Sequence, residues 1–144
     1  MPYIQIYIHL AWATKNRIPF LSKEIRHQVF NHIKEYAFQK SIIVDHINGH
    51  KEHVHCLISL KADQNIATIL NLLKGESSHW INKNKLTSSK FGWQDEYFAV
   101  SVGTSKVEKV RNYIRNQEKH HDNKSWKEEC REFIEKYGFE FVKG

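Results

Sequence analysis

Two short stretches carry residue types that could do chemistry together. The first is His53-Val54-His55, inside the run Glu52-His53-Val54-His55-Cys56-Leu57-Ile58-Ser59-Leu60. This run reads as a β-strand. Side chains on a strand alternate faces, so His53 and His55 point the same way while Val54, Cys56, Ile58 and Leu60 turn toward a core. Two imidazoles on one strand face can chelate a divalent ion. The second stretch is Tyr113-Ile114-Arg115-Asn116-Gln117, within a helical pattern. Residues four apart on a helix lie about 40° apart around its axis, so Tyr113 and Gln117 share a face. Gln117 offers a neutral carbonyl oxygen, which suits a hard ion such as Mg2+ or Mn2+. A phenol has a pKa near ~10 and needs help to act as a nucleophile at neutral pH. A metal that polarises a phosphate and orients the attack would provide that help. Taken singly, each residue has a plainer reading. Histidines are common on sheet surfaces, Gln117 suits a solvated helix face, and Tyr113 fits the edge of a core beside Val107, Val110 and Ile114. His120, close to Tyr113 around the helix, could assist proton transfer or simply be solvated. We find no Ser-His-Asp set, no phosphate-cradling glycine loop and no paired HxTx repeat.

The elements that must position these residues are readable from periodicity. Ile4, Ile6, Ile8, Leu10 and Trp12 alternate with Tyr3, Gln5, Tyr7, His9 and Ala11, which predicts a long first strand with one oily face and an aromatic and imidazole face opposite. Thr14-Lys15-Asn16-Arg17-Ile18-Pro19 reads as a basic loop. Ser22 is a candidate N-cap, and Ile25, Val29, Ile33 and Ala37 follow at helical spacing to an end near 39–40. Ile42-Ile43-Val44 opens a second strand toward Asn48-Gly49, which a short turn joins to the His53 strand as an antiparallel hairpin. Ile66, Ile69, Leu70, Leu73 and Trp80 mark a helix over roughly 65–83, with Gly75 as a weak point. A polar, basic loop over 83–92 precedes a strand over 97–102, with Phe98, Val100 and Val102 on one face. Ser105 can cap the tyrosine helix. A last helix from about 125 presents Trp126, Cys130, Phe133, Ile134 and Tyr137, and the apolar tail over 138–142 can dock.

That order is βαββαβ with additional C-terminal helices, including the one that bears Tyr113. It predicts an α+β, ferredoxin-like (RRM-like) antiparallel sheet. Both early helices would cover one face and leave the other free for a site. The 144 residues, 40% hydrophobic and 26% charged, suit one domain over 1–144, with no repeat, low-complexity stretch or linker. A net charge of +6 and a pI near 9.3 favour a polyanionic partner. Lys15, Arg17, Lys74, Lys83, Lys85 and Lys90 could track phosphates. Tyr3, Tyr7, Trp93 and Tyr97 could stack on unpaired bases, unless they pack in the core as Trp12 and Trp80 do by this reading. Cys56 and Cys130 form no CxxC motif and read as reduced thiols of a cytoplasmic protein. No apolar run approaches the ~18 residues of a membrane span. The opening Met1-Pro2-Tyr3-Ile4-Gln5 does not look like a signal peptide.

Together these residues resemble the single-tyrosine HUH transposases of the insertion-sequence 200/605 group, the IS200-like transposases. His53-Val54-His55 matches their histidine–hydrophobe–histidine motif. The stretch from Tyr113 to Gln117, with His120-His121, matches their tyrosine helix. Ile8-His9-Leu10-Ala11-Trp12-Ala13-Thr14-Lys15 and Trp93-Gln94-Asp95-Glu96-Tyr97-Phe98-Ala99-Val100-Ser101-Val102 are also similar. The likeness covers nearly the whole chain. One departure is Lys51-Glu52 before His53, where relatives often have Pro-Asp; it is expected to alter the turn and not the chemistry. The resemblance implies a homodimer in which the tyrosine helix of one subunit can complete the histidine site of the other. It implies single-stranded DNA with subterminal hairpins as substrate, and Mg2+ or Mn2+ held by His53, His55 and Gln117. Tyr113 would attack a phosphodiester to leave a 5′-phosphotyrosine and a free 3′-OH, and a second 3′-OH would rejoin the strands. Two alternatives stay open: a domesticated, repetitive-element-associated enzyme with the same site, and a non-catalytic RRM-like nucleic-acid-binding module.

Overall fold

Alternation along the first and third strands sorts their side chains onto two faces of one sheet. The computed structural model describes residues 2–121 and 125–137, apart from the side chains at 120, 121, 133, 134, 136 and 137. Four strands, β1 (Tyr7–Thr14), β2 (Ile43–Gly49), β3 (His53–Ser59) and β4 (Trp93–Val102), pair antiparallel in the order β2-β3-β1-β4. Helix α1 (Lys23–Gln39) joins β1 to β2, and α2 (Ile66–Lys83) joins β3 to β4. This is the expected ferredoxin-like α+β arrangement. Three further helices follow: α3 (Val107–Arg115), α4 (Gln117–His121) and α5 (Trp126–Tyr137).

The helical stripes explain why α1 and α2 lie on the same face. Val29, Ile33 and Ala37 of α1 and Ile69, Leu70, Leu73 and Ile81 of α2 are buried against Ile8, Leu10, Trp12, Val54, Cys56 and Ile58 of the sheet. Non-directional burial of apolar surface is what fixes this layer. Asn65 caps α2, its Oδ1 accepting from Thr68 N at 2.8 Å. Ser22 stands at the N-cap of α1, but its side chain makes no capping bond. No described helix is long and apolar enough to cross a membrane.

Several expectations shift. The first strand begins at Tyr7, because its neighbours end at Ser59 and Val102, both opposite Tyr7. Tyr3, Ile4 and Ile6 therefore lie outside the ladder and are exposed. The last strand starts earlier than expected, at Trp93. That tryptophan is buried and donates to Ser77 Oγ at 2.9 Å, so it belongs to the core and is not a base-stacking platform. Trp12 is buried as expected, and Trp80 stacks on His32 with ring centroids 4.0 Å apart. Lys74 is half-buried and donates to the carbonyls of Gln94 and Asp95 at 2.5 and 3.3 Å, which takes it off the list of free phosphate contacts. Ser105 caps nothing; a 3-10 turn over Thr104–Lys106 precedes α3. The second sheet face is not open, because α3 and α5 pack onto it. Val107 and Ile114 cover Leu57, and Trp126 covers Ala11 and Ala13. The expected roles of Phe133, Ile134 and Tyr137, the histidine at 120 and the tail over 138–142 fall outside the described residues.

The tyrosine helix is not continuous. α3 ends at Arg115, Asn116 takes φ −97° and ψ 21°, and α4 starts at Gln117. The cause lies on β2. Asn48 Nδ2 donates to the carbonyls of Ile114 and Arg115 at 3.0 and 3.2 Å, taking up acceptors that a continuing helix would use. Arg26 of α1 then holds α4 through Glu118, with Nη2 and Oε1 2.7 Å apart.

A bulge on β2 between Val44 and His46 sets Asp45 apart from the ladder. Its carboxylate meets the Arg111 guanidinium through two bonds of 2.9 and 2.7 Å, which clamps α3 to the sheet edge. The Arg111 hydrogen bond, more than the opposing desolvation, holds the Asp45 carboxyl below its ordinary value of 3.8. A depressed carboxyl contributes stability that is present above the unfolded-state pKa and lost as pH falls through the folded-state value. The melting-temperature gap between wild type and Asp45→Asn should therefore hold steady above about pH 5 and close in more acidic buffer. A gap independent of pH would mean that the clamp contributes through shape alone.

Candidate active site and metal centre

The site lies on the second sheet face, at the end of β3 near the β2–β3 turn. Alternation puts His53, His55 and Leu57 there, and none of the three is exposed. Gly49 makes the local geometry possible: a Cβ at that position would lie 2.1 Å from the His53 carbonyl oxygen. Any side chain would thus force β2 away from the first histidine.

Each imidazole is oriented from behind. His53 Nδ1 donates to Glu52 Oε1 at 2.8 Å, which turns Nε2 into the site. His55 Nδ1 lies 2.9 Å from Nε2 of His9 on β1. Glu52, expected to matter only for the turn, thus sets the tautomer and tilt of the first histidine.

In front of the imidazoles three more groups converge. Gln117 Oε1 is 2.9 Å from His53 Nε2, and its Nε2 points toward the Tyr113 carbonyl and Glu129 Oε1, both at 3.5 Å. Glu129 of α5 places Oε1 2.7 Å from His55 Nε2 and Oε2 3.5 Å from His53 Nε2. Tyr113 Oη donates to Glu129 Oε1. Despite the break at Asn116, Tyr113 and Gln117 thus reach the same place, as their spacing predicts. Their rings and chains pack closely: Tyr113 lies edge-on to His55 with centroids 5.4 Å apart, and Trp126 stacks on His53 at 4.2 Å.

The donor set fits a divalent cation. With the His53 proton on Nδ1, its Nε2 presents a lone pair to the Gln117 and Glu129 oxygens, which are acceptors themselves. A divalent cation seated between the groups would satisfy this convergence of acceptors. The ligand atoms of His53, His55 and Glu129 all lie within 4.8 Å of one another. Neighbouring ligands on an octahedral ion with bonds of about 2.1 Å sit roughly 3 Å apart, close to the spacings seen here. Two imidazoles, an amide oxygen and a carboxylate make a mixed nitrogen and oxygen donor set able to hold a divalent cation. Burial, followed by the Glu129 charge and hydrogen bond, pushes the Tyr113 phenol well above its ordinary value of 10.0.

Glu129 was invisible to sequence reasoning. It sits among Glu128, Glu132 and Lys127 on a polar helix and reads as a solvated residue. Its neighbour Trp126, three positions earlier and buried, is the available hint that this face turns inward.

Comparison with known proteins agrees with this architecture. Residues 2–117 match the family model described as "Transposase IS200 like". Over 118 residues the chain is 26% identical to the ISDra2 transposase TnpA of Deinococcus radiodurans, spanning 78% of this chain and 84% of that protein. A transposase crystal structure from Deinococcus radiodurans superposes with a TM-score of 0.64 at 21% identity, covering 81% of this chain and 93% of that one. A REP-associated tyrosine transposase bound to a REP hairpin also gives 0.64, at 18% identity over 84% of this chain and 72% of that one. The histidine strand and tyrosine helix fall within the matched span, and the fold around them is shared. The chain belongs to the IS200-like transposase family.

Proposed function

We propose that the protein cleaves and rejoins single-stranded DNA through a 5′-phosphotyrosine at Tyr113. The observation that carries this reading is the meeting of the partly buried Tyr113 with the buried His53, His55 and Gln117 at one point from three separate elements. His53, His55 and Gln117 would hold Mg2+ or Mn2+, and a bound divalent ion would supply positive charge beside the phosphate oxygens. Tyr113 Oη attacks the phosphorus and gives up its proton. The bond to the 3′ oxygen breaks, and that oxygen takes a proton to become a free 3′-OH. In the reverse sense a second 3′-OH attacks the phosphotyrosine and releases the phenol. The linkage keeps its bond energy, so no nucleotide cofactor is needed.

The basic surface and the hairpin-bound relative support a substrate of single-stranded DNA bearing subterminal hairpins. A homodimer is part of the same reading, with the site formed either within one subunit or by exchange of tyrosine helices between two. Exchange of tyrosine helices would require releasing Arg111 from Asp45 and Asn48 from the end of α3. Within one chain the four groups already converge, which supports assembly in cis. A host role at repetitive elements would use the same residues; paired end hairpins flanking the gene would favour a mobile element instead. An RRM-like binding module needs an open sheet face, and here α3 and α5 cover it.

The deciding experiment is incubation with hairpin-bearing single-stranded DNA and Mg2+ or Mn2+, followed by denaturing electrophoresis. We expect a protein–DNA adduct that survives denaturation and disappears with EDTA. Binding without an adduct in either metal would defeat the reading.

A further inference from the structure

One buried side chain touches both the second histidine and the tyrosine. His9, on β1, is 5% exposed. Alternation along β1 turns His9, Ala11 and Ala13 toward the face that carries the site. The register sets Ala11 directly opposite His55 and His9 opposite Leu57. The methyl group of Ala11 offers His55 no polar partner, and the longer side chain at the diagonal position does. Nε2 of His9 lies 2.9 Å from Nδ1 of His55, with ring centroids 5.0 Å apart. The same ring meets Tyr113 nearly edge-on, with centroids 6.1 Å apart. Burying an imidazole is costly unless its polar atoms are used, so a side chain that only filled this space would be better made of carbon.

Which nitrogen of His55 serves as a ligand is set by the hydrogen bond its other nitrogen makes. Its Nε2 lies among the converging donor atoms, 2.7 Å from Glu129 Oε1. A lone pair on that side requires the ring proton on Nδ1, and a buried N–H requires an acceptor. Building on the metal site of the function proposed above, we propose that His9 is a positioning residue. Its unprotonated Nε2 accepts from His55 Nδ1–H and so keeps Nε2 of His55 aimed at the cation. The two ligand histidines are then backed unequally. His53 leans on the Glu52 carboxylate, whereas His55 leans on a neutral ring carried by a different strand. An anionic partner raises the basicity of the imidazole it holds, so the first histidine gains donor strength and the second gains mainly its aim.

The test uses the full chain with His9→Gln and His9→Phe. Glutamine keeps an acceptor oxygen near the place of Nε2 and gives up the ring; phenylalanine keeps a ring and gives up the acceptor. The first readout is Mn2+ affinity by calorimetry, without DNA. His9→Phe should bind about 10- to 100-fold more weakly than wild type, the usual loss when a ligand's outer partner is removed, and His9→Gln should recover most of that loss. The second readout is the ring nitrogens of His55 by nuclear magnetic resonance on the metal-free, 15N-histidine-labelled protein. Nδ1 should carry a slowly exchanging proton in wild type and His9→Gln, and that protection should be lost in His9→Phe. Wild-type Mn2+ affinity in His9→Phe would overturn the proposal, as would a His9→Gln protein no better than His9→Phe. A bare Nδ1 on His55 in the wild type would overturn it even if neither variant folded. Should Mn2+ fail to bind the wild type while Nδ1 carries its protected proton, the metal reading falls and the hydrogen-bonding role of His9 stands.

Discussion

Tyr113→Phe should abolish the covalent protein–DNA product while leaving hairpin binding nearly intact. The substitution deletes one oxygen and keeps the ring, which packs against His9 and His55 with centroids 6.1 and 5.4 Å away. Binding should survive because the basic surface and the hairpin contacts do not depend on the phenol. The variant also loses the hydrogen bond to Glu129. Adduct yield on denaturing gels and a binding titration on the same DNA separate the two effects. Cleavage that persists in Tyr113→Phe, or binding that collapses while cleavage is unchanged, would move the nucleophile elsewhere.

His53→Ala should remove metal-dependent cleavage. This imidazole faces Gln117 at 2.9 Å and Glu129 at 3.5 Å, and Glu52 holds it from behind. Loss of an outer partner of a ligand typically costs ~10–100-fold in metal affinity, so loss of the ligand itself should cost about 100-fold or more. Calorimetric titration with Mn2+ reads the affinity directly. Adduct formation at saturating Mn2+ then shows whether the remaining donors can still organise the reaction. The variant leaves a hole beneath Trp126, so its melting curve must accompany the measurement. Wild-type affinity for Mn2+ in a folded His53→Ala protein would show that the ion is held by other groups.

Much of this was readable from residue order, for local reasons. The period-two alternation through 53–60 fixes which side chains share a face, and the stripes of α1 and α2 fix which face they cover. The pairing of the two histidines follows from strand geometry alone. Three features depend on contacts between residues distant along the chain, which periodicity does not encode. The break at Asn116 arises from Asn48, 66 residues before Ile114. The orienting bond from His9 to His55 spans 46 residues. Glu129 enters the site on a helix whose Trp126 packs on the small side chains of Ala11 and Ala13. The Glu52 contact is different: it is local, but a carboxylate beside a histidine looks the same in sequence whether it faces water or locks a ring.

The bulge at Asp45 has a consequence for the behaviour of the protein in concentrated solution. β2 is an outer strand, with hydrogen-bonding groups unpaired on one side. A flat outer strand is a template on which another chain can add and aggregation can begin. Here a matching strand would lose register between Val44 and His46 and meet the charged pair of Asp45 and Arg111 at the same point. The irregularity that anchors the tyrosine helix therefore also guards this flank against unwanted sheet growth.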